Sequence, residues 1–176
     1  MKLFQPFDTT TDPARPVSRV TFLVLAAATL ILDQISKLVV VSTLNFLDPV
    51  VVIPNFLQLQ YTHNTGAAFS IASEHTMLLA LFSLIISIVL VYIAWTRTPE
   101  EQGMRIGLGL ILGGAVGNLI DRFRLGYVID FIDAHWFYKA HWPIFNIADS
   151  AICIGIGLWL IASFRLKPTE KPAKSK

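Results

Sequence analysis

Asp33, Asp121 and Asp149 each interrupt a long apolar run, and each has polar company at helical spacing. Lys37 stands at i+4 from Asp33, Asn118 and Arg122 at i−3 and i+1 from Asp121, and Asn146 at i−3 from Asp149. Asp130 and Asp133 follow in the stretch between the last two. Two carboxylates held close and partly desolvated do not both ionise easily, so they share one proton. Such a pair works as base and acid together: the ionised member takes a proton from water, and the neutral member hydrogen-bonds a carbonyl oxygen and helps protonate a leaving nitrogen. That is peptide-bond hydrolysis with no metal and no covalent intermediate. Spacing leaves open which two of Asp33, Asp121, Asp130, Asp133 and Asp149 form the pair.

Other chemistries find little support. Cys153 is the only cysteine, which excludes an intramolecular disulfide and a cysteine zinc site, and its place in an apolar helix reads as facing lipid or packing. His63, His75, His135 and His141 are scattered with no HExxH, so no metal is expected. No G-x-S-x-G elbow occurs. Gly109, Gly113 and Gly117 recur every four residues without GxGxxG spacing, and they read as a packing stripe. Structural readings also exist for the polar residues. Asp33 and Lys37 are a favourable intrahelical pair, Arg122 is an interfacial anchor that neutralises Asp121, and Asn146 is an N-cap that Asp149 complements at the positive helix end.

The elements that must position these groups follow from composition. Of the 176 residues, 54% are hydrophobic and 15% charged, and the mean hydropathy is +0.60; an ordinary soluble domain has roughly 25% charged residues. The predicted class is an integral membrane protein, mainly α, with four transmembrane helices near Val20–Val41, Thr76–Trp95, Met104–Ile120 and Ala148–Phe164. The first lacks a small-residue cleavage site and follows a polar stretch, so it is read as a retained helix. Ten basic residues, among them Arg19, Arg97, Arg105 and Arg165, fall on one side, which by the positive-inside rule is the cytoplasm and holds both termini. Counting from the last cytoplasmic charge, Asp33, Asp121 and Asp149 rise about 21, 24 and 24 Å, to one level near the outer interface. Alternation at Leu57, Leu59 and Tyr61 predicts a small β-ribbon on the outer surface.

The expected organisation is one transmembrane domain, residues 18–166, between a cytoplasmic tail at 1–17 and a basic tail at 167–176, with no internal repeat. A net charge of +2 makes nucleic acid a poor partner. An ion channel would line a path through the whole bilayer, whereas the cytoplasmic half of every helix is apolar. An assembly factor without catalysis needs no aspartate pair.

Five blocks then carry a family resemblance: Asp33-Gln34-Ile35-Ser36-Lys37, Asn64-Thr65-Gly66-Ala67-Ala68-Phe69-Ser70, Gly113 to Arg122, Val128-Ile129-Asp130-Phe131, and Phe145-Asn146-Ile147-Ala148-Asp149-Ser150. In this order, on four helices, they resemble the bacterial lipoprotein signal peptidases (signal peptidase II), membrane aspartyl endopeptidases. The resemblance covers about residues 18 to 165. It implies that Asp130 and Asp149 are the catalytic pair and that Asp121 is a support residue holding Arg122 and the loop. It also implies that Asn64, Gly66, Asn118, Arg122, Asn146 and Ala148 line the site or contact the substrate backbone, with Asp33 and Lys37 a structural or substrate-orienting pair. The implied substrate is a prolipoprotein cleaved just before a diacylglyceryl-modified cysteine, with membrane lipid the other partner. The further expectations are no cofactor, a monomer, and a place in the bacterial cytoplasmic membrane with the site near its outer face.

Overall fold

A computed structural model describes residues 16–66, 76–96, 102–137 and 140–165. Residues 1–15 of the first tail, the 167–176 tail, Arg97, Lys139, His75 and the Ala67–Ser70 part of the second block lie outside them. Four helices, α1 (Pro16–Thr43), α2 (Thr76–Thr96), α3 (Gln102–Leu125) and α4 (Ile147–Arg165), are long and apolar enough to cross a membrane. Each contains the stretch expected from hydropathy and extends it by one to five residues at one or both ends. Such extension is usual because the polar residues that flank an apolar run still carry helical backbone.

Helix α3 is central. Of its apolar window 61% is buried, against 17 to 28% for the other three. Its glycines explain why it can be enclosed. On one side a methyl group at Gly109, Gly113 or Gly117 would press on Phe22 O, Ala26 O or Asp33 Oδ2 of α1, at 2.9, 2.5 and 2.5 Å. The sequence stripe thus packs as expected. A second set, Gly103, Gly107 and Gly114, meets α4 in the same way at Ala162, Gly155 and Ala148. Phe22, Ala26, Leu90, Ala94, Leu108 and Leu112 fill the core between α1, α2 and α3. Outward, Leu38, Met77 and Tyr92 are about two-thirds exposed, as side chains facing lipid are.

One end of the bundle carries an antiparallel sheet of order β1-β2-β3-β4, formed by Val50–Ile53, Leu57–Asn64, Val128–Trp136 and Ala140–His141. The expected ribbon is β2, and its partners β1 and β3 make it a sheet. The register shifts between Leu59 and Thr62, which sets Thr62 opposite Asp130 and Asn64 opposite Val128. Ile129 and Phe131 pack on Val40 of α1, so the sheet is fastened to the bundle through its inner face.

Two local devices bring β3 to the helix ends. Gly126, at φ +81°, terminates α3 with its N–H donating to Arg122 O at 3.1 Å, the left-handed position that glycine occupies without strain. Phe145 then bridges Ile132 of β3, with Ile132 N–H donating to Phe145 O at 2.8 Å and Phe145 N–H donating back at 3.1 Å. The start of α4 is thereby pinned against the strand that holds Asp130.

Candidate active site

Helix α4 begins with a reciprocal cap. Asn146 Oδ1 accepts the Asp149 N–H at 2.9 Å, and Asp149 Oδ2 accepts the Asn146 N–H at 3.2 Å. This is a capping box in which Asn and Asp replace the commoner Ser and Glu. The N–H of Ala148, another donor with no partner inside the helix, is taken by Asp33 Oδ1 at 3.0 Å. Capping and site formation, separate readings in the sequence, are here the same bonds.

Asn146 is fully buried, and its Nδ2 donates to Asp130 Oδ1 at 2.7 Å and to Asn118 Oδ1 at 3.1 Å. The other oxygen of Asp130 accepts from Asn64 Nδ2 at 2.8 Å. Asn64 is oriented by its own turn, since its Oδ1 accepts the Gly66 N–H at 2.9 Å. Asp149 Oδ1 accepts from Asn118 Nδ2 at 2.8 Å. Asn118 and Asn146 therefore join Asp130 and Asp149 into one buried unit.

Beneath it sits a buried ammonium. Lys37 is only 2% exposed, and its three protons meet Asp33 Oδ2 at 2.8 Å, Asp121 Oδ2 at 2.8 Å and Asn118 Oδ1 at 3.0 Å. The donor inventory of a lysine is exhausted. Because Lys37 and Asn146 both donate to Asn118 Oδ1, the Asn118 amide has its nitrogen turned toward Asp149, and Lys37 acts on Asp149 through that orientation. Asp121 also accepts from Gln34 Nε2 at 3.1 Å and from the Ile129 N–H at 3.3 Å, so it ties α1 and β3 together. The bond of Arg122 runs elsewhere, from Nη2 to Gly66 O at 3.0 Å. Lys37, rather than Arg122, is the ion-pair partner that Asp121 has among the described residues.

Desolvation pushes the Asp130 carboxyl up from 3.8 to about 7, and the charge of Asp149 adds to the rise. The Asn64 and Asn146 hydrogen bonds and the charge of Lys37 oppose it without cancelling it. A carboxyl that titrates near neutrality beside a second carboxyl is suited to general acid–base work.

A cavity of about 200 Å³ opens beside Asp149. Its polar lining is Asn64, Asn118, Arg122 and Asp149, and its apolar lining includes Trp142, Pro143, Ile144, Phe145, Ile152 and Cys153. Arg122 lines the cavity, while its Nε is buried without a hydrogen-bond partner. Asp133 instead pairs with Gln58 on the sheet, with His135 at 3.7 Å. His63 is exposed and stacked on Tyr127, away from any cluster of metal-ligating side chains among the described residues. Sequence reasoning gave no role to Gln34 or to the 142–145 wall, because neither carries reactive chemistry. Cys153, read as facing lipid or packing, also lines the cavity.

The family profile described as signal peptidase (SPase) II matches residues 25–165. The chain belongs to the signal peptidase II family. It is 42% identical over 146 residues to the lipoprotein signal peptidase of Syntrophotalea carbinolica, covering 81% of this chain and 90% of that one. To that of Pseudomonas putida it is 38% identical, covering 88% and 92%. A bacterial membrane enzyme solved by the in meso method at 2.3 Å superposes with a TM-score of 0.78 at 36% identity, covering 89% of this chain and 95% of that one. Membership makes the chain a multi-pass membrane protease, and every block that suggested the family, apart from residues 67–70, contributes a residue to the network around Asp130 and Asp149.

Proposed function

We propose that the chain is an aspartic endopeptidase that removes the signal peptide from prolipoproteins, cutting before a diacylglyceryl-modified cysteine, with Asp130 and Asp149 as its catalytic pair. The observation that carries the reading is the network in which Asn146 donates to Asp130 while exchanging caps with Asp149. In this mechanism the pair holds one proton near neutrality. The ionised carboxylate removes a proton from water, whose oxygen adds to the scissile carbonyl carbon, while the protonated carboxyl donates to the carbonyl oxygen. Collapse of the tetrahedral intermediate breaks the C–N bond, and the leaving nitrogen takes a proton from the pair. The products are the carboxyl terminus of the signal peptide and the free α-amine of the lipidated cysteine.

The other groups prepare that step. Asn64, Asn118 and Asn146 fix the carboxylates, Lys37 orients the Asn118 amide, Asp33 holds Lys37 and the Ala148 N–H, and Arg122 lines the cavity beside them. Asp33 and Asp121 pair with the Lys37 ammonium, whereas the hydrogen bonds to Asp130 and Asp149 come from neutral amides, which supports giving the proton exchange to this pair. Family membership supports a bacterial cytoplasmic membrane, and the pattern of basic residues supports an orientation with both termini in the cytoplasm and the site near the outer face. A lipid-anchored cysteine is then confined at the depth of the pair, which raises its effective concentration there. Purified protein in detergent, given a diacylglyceryl-modified prolipoprotein and no cofactor, should release the signal peptide; failure to cleave it would contradict this reading.

A further inference from the structure

The ladder that carries Asn64 to Asp130 is short. After the shift between Leu59 and Thr62 it consists of the pairs Thr62–Asp130, His63–Ile129 and Asn64–Val128. Asn64 and Asp130 are diagonal neighbours on one face of these pairs, where Asn64 Nδ2 donates to Asp130 Oδ2 at 2.8 Å. His63 and Tyr127 form the matching diagonal on the other face, because successive side chains of a strand point to opposite sides. Their rings are stacked, with centroids 3.7 Å apart and planes 20° from parallel. Tyr61, two residues back on that face, brings its hydroxyl to 2.9 Å from His63 Nε2, and the Phe46 ring lies 4.5 Å from the imidazole. His63 is nevertheless exposed, so these ring contacts brace the strand end rather than fill a core. Tyr127 is a firm base for them, since it follows Gly126, where α3 ends.

We infer that His63 is a positioning residue for the hydrolysis: its ring, stacked on Tyr127, holds the end of β2 so that Asn64 stays on Asp130. This rests on the reading of Asp130 and Asp149 above. The ring grips one face of the strand end and the Asn64 amide grips the other, so a backbone twist that opens the stack also swings the amide away. Asp130 Oδ2 then loses the donor that Asn64 supplies. That bond, with Asn146 and the charge of Lys37, opposes the upward push of desolvation and Asp149 on the Asp130 carboxyl, so its loss lets the carboxyl rise further. The stack requires a ring and no charge. Among the described residues the hydroxyls of Tyr61 and Tyr127 are the titratable groups at the imidazole, and desolvation lowers its proton affinity, which favours the neutral form in the stack.

The test measures kcat and KM of the detergent-solubilised full-length enzyme on a diacylglyceryl-modified prolipopeptide, at pH values on both sides of about 7. His63→Ala removes the ring, His63→Phe keeps one, Asn64→Ala removes the amide, and the double variant His63→Ala/Asn64→Ala closes the cycle. His63→Ala should lower kcat by about fivefold or more, the scale of one lost aromatic pair, with KM close to the parent value. Its alkaline decline in turnover should move to higher pH, as that of Asn64→Ala should. His63→Phe should recover both the kcat and the pH profile. In the Asn64→Ala background, His63→Ala should cost no more than about twofold further, because the amide it positions is already gone. Tyr127→Leu removes the stack from the other side and should repeat the kcat loss and the pH shift; it carries the test if His63→Ala does not fold. Equal losses in His63→Phe and His63→Ala, full additivity with Asn64→Ala, or parental kcat without the ring would each overturn the inference. A parent enzyme that does not cleave the substrate would instead overturn the peptidase reading on which it rests.

Discussion

Asn146 and Asp149 cap each other's backbone at the first turn of α4, and the same Asn146 amide donates to Asp130 at 2.7 Å. The helix start and the carboxylate pair are therefore one construction. Asn146→Ser separates the two duties, because serine caps as well as asparagine but is too short to reach Asp130. Thermal stability should stay within about 1 kcal/mol of the parent by the cap alone. Turnover should fall roughly 10- to 100-fold, the equivalent of one hydrogen bond to a charged group. Parallel melting and cleavage assays check this, and a variant that keeps full turnover would detach Asn146 from the chemistry.

The second prediction concerns the buried ammonium. Lys37→Met leaves the Asp33 and Asp121 carboxylates facing each other without a cation, at a cost of about 3–5 kcal/mol. It also frees the Asn118 amide to rotate. Adding Asp121→Asn removes one of the stranded charges, so the double variant should recover part of the lost stability. A denaturant series on the single and double variants measures the recovery, and strict additivity would contradict the coupling.

Much of this construction was legible in the sequence because it is polar inside an apolar chain. The cost of burying Asp33, Lys37, Asp121 and Asp149 makes each conspicuous, and counting 1.5 Å per residue from the cytoplasmic charges placed the three acids at one level. They do converge, through Lys37, Asn118 and the Ala148 N–H. Asp130 was harder to choose. It lies in a strand outside the hydropathic runs, and only the register of β3 and the Phe145 bridge bring it to Asn146. Residue spacing does not encode such long-range pairing, and the family resemblance made that choice. The partners of β2 and the apolar wall at Trp142–Phe145 were not legible for the same reason.

Gly117 offers a third prediction. A methyl group there would lie 2.5 Å from Asp33 Oδ2, the atom bonded to Lys37. Gly117→Ala should therefore push the carboxylate off the ammonium and cost about 1–3 kcal/mol, the range for overpacking, despite the higher helix propensity of alanine. Thermal denaturation decides it, and an alanine variant as stable as the parent would mean that α1 can withdraw freely.

The pH dependence follows from Asp130. Its carboxyl is raised from 3.8 to about 7 in the folded protein, so the native state binds this proton more tightly than the unfolded chain. The resulting stabilisation is complete below about 3.8 and is lost as pH rises through about 7. Melting temperature should accordingly fall as pH rises from about 3.8 to about 7 and level off above, and Asp130→Asn should flatten that fall. Turnover should decline as pH rises through about 7 and the pair loses its shared proton. A wild-type melting profile matching that of Asp130→Asn throughout would show that this carboxyl does not titrate there.

The central claim is that Asp130 and Asp149 together exchange the proton that hydrolysis requires. Single-turnover cleavage of a diacylglyceryl-modified prolipoprotein by Asp130→Asn and by Asp149→Asn tests it most directly, with melting curves and substrate binding recorded on the same preparations. An amide neither takes a proton from water nor returns one to the leaving nitrogen. Each variant should remain folded and bind substrate, while its cleavage rate falls by at least about 10²–10⁴-fold, the usual contribution of a general acid or base. Near-parental cleavage by either folded variant would contradict the account.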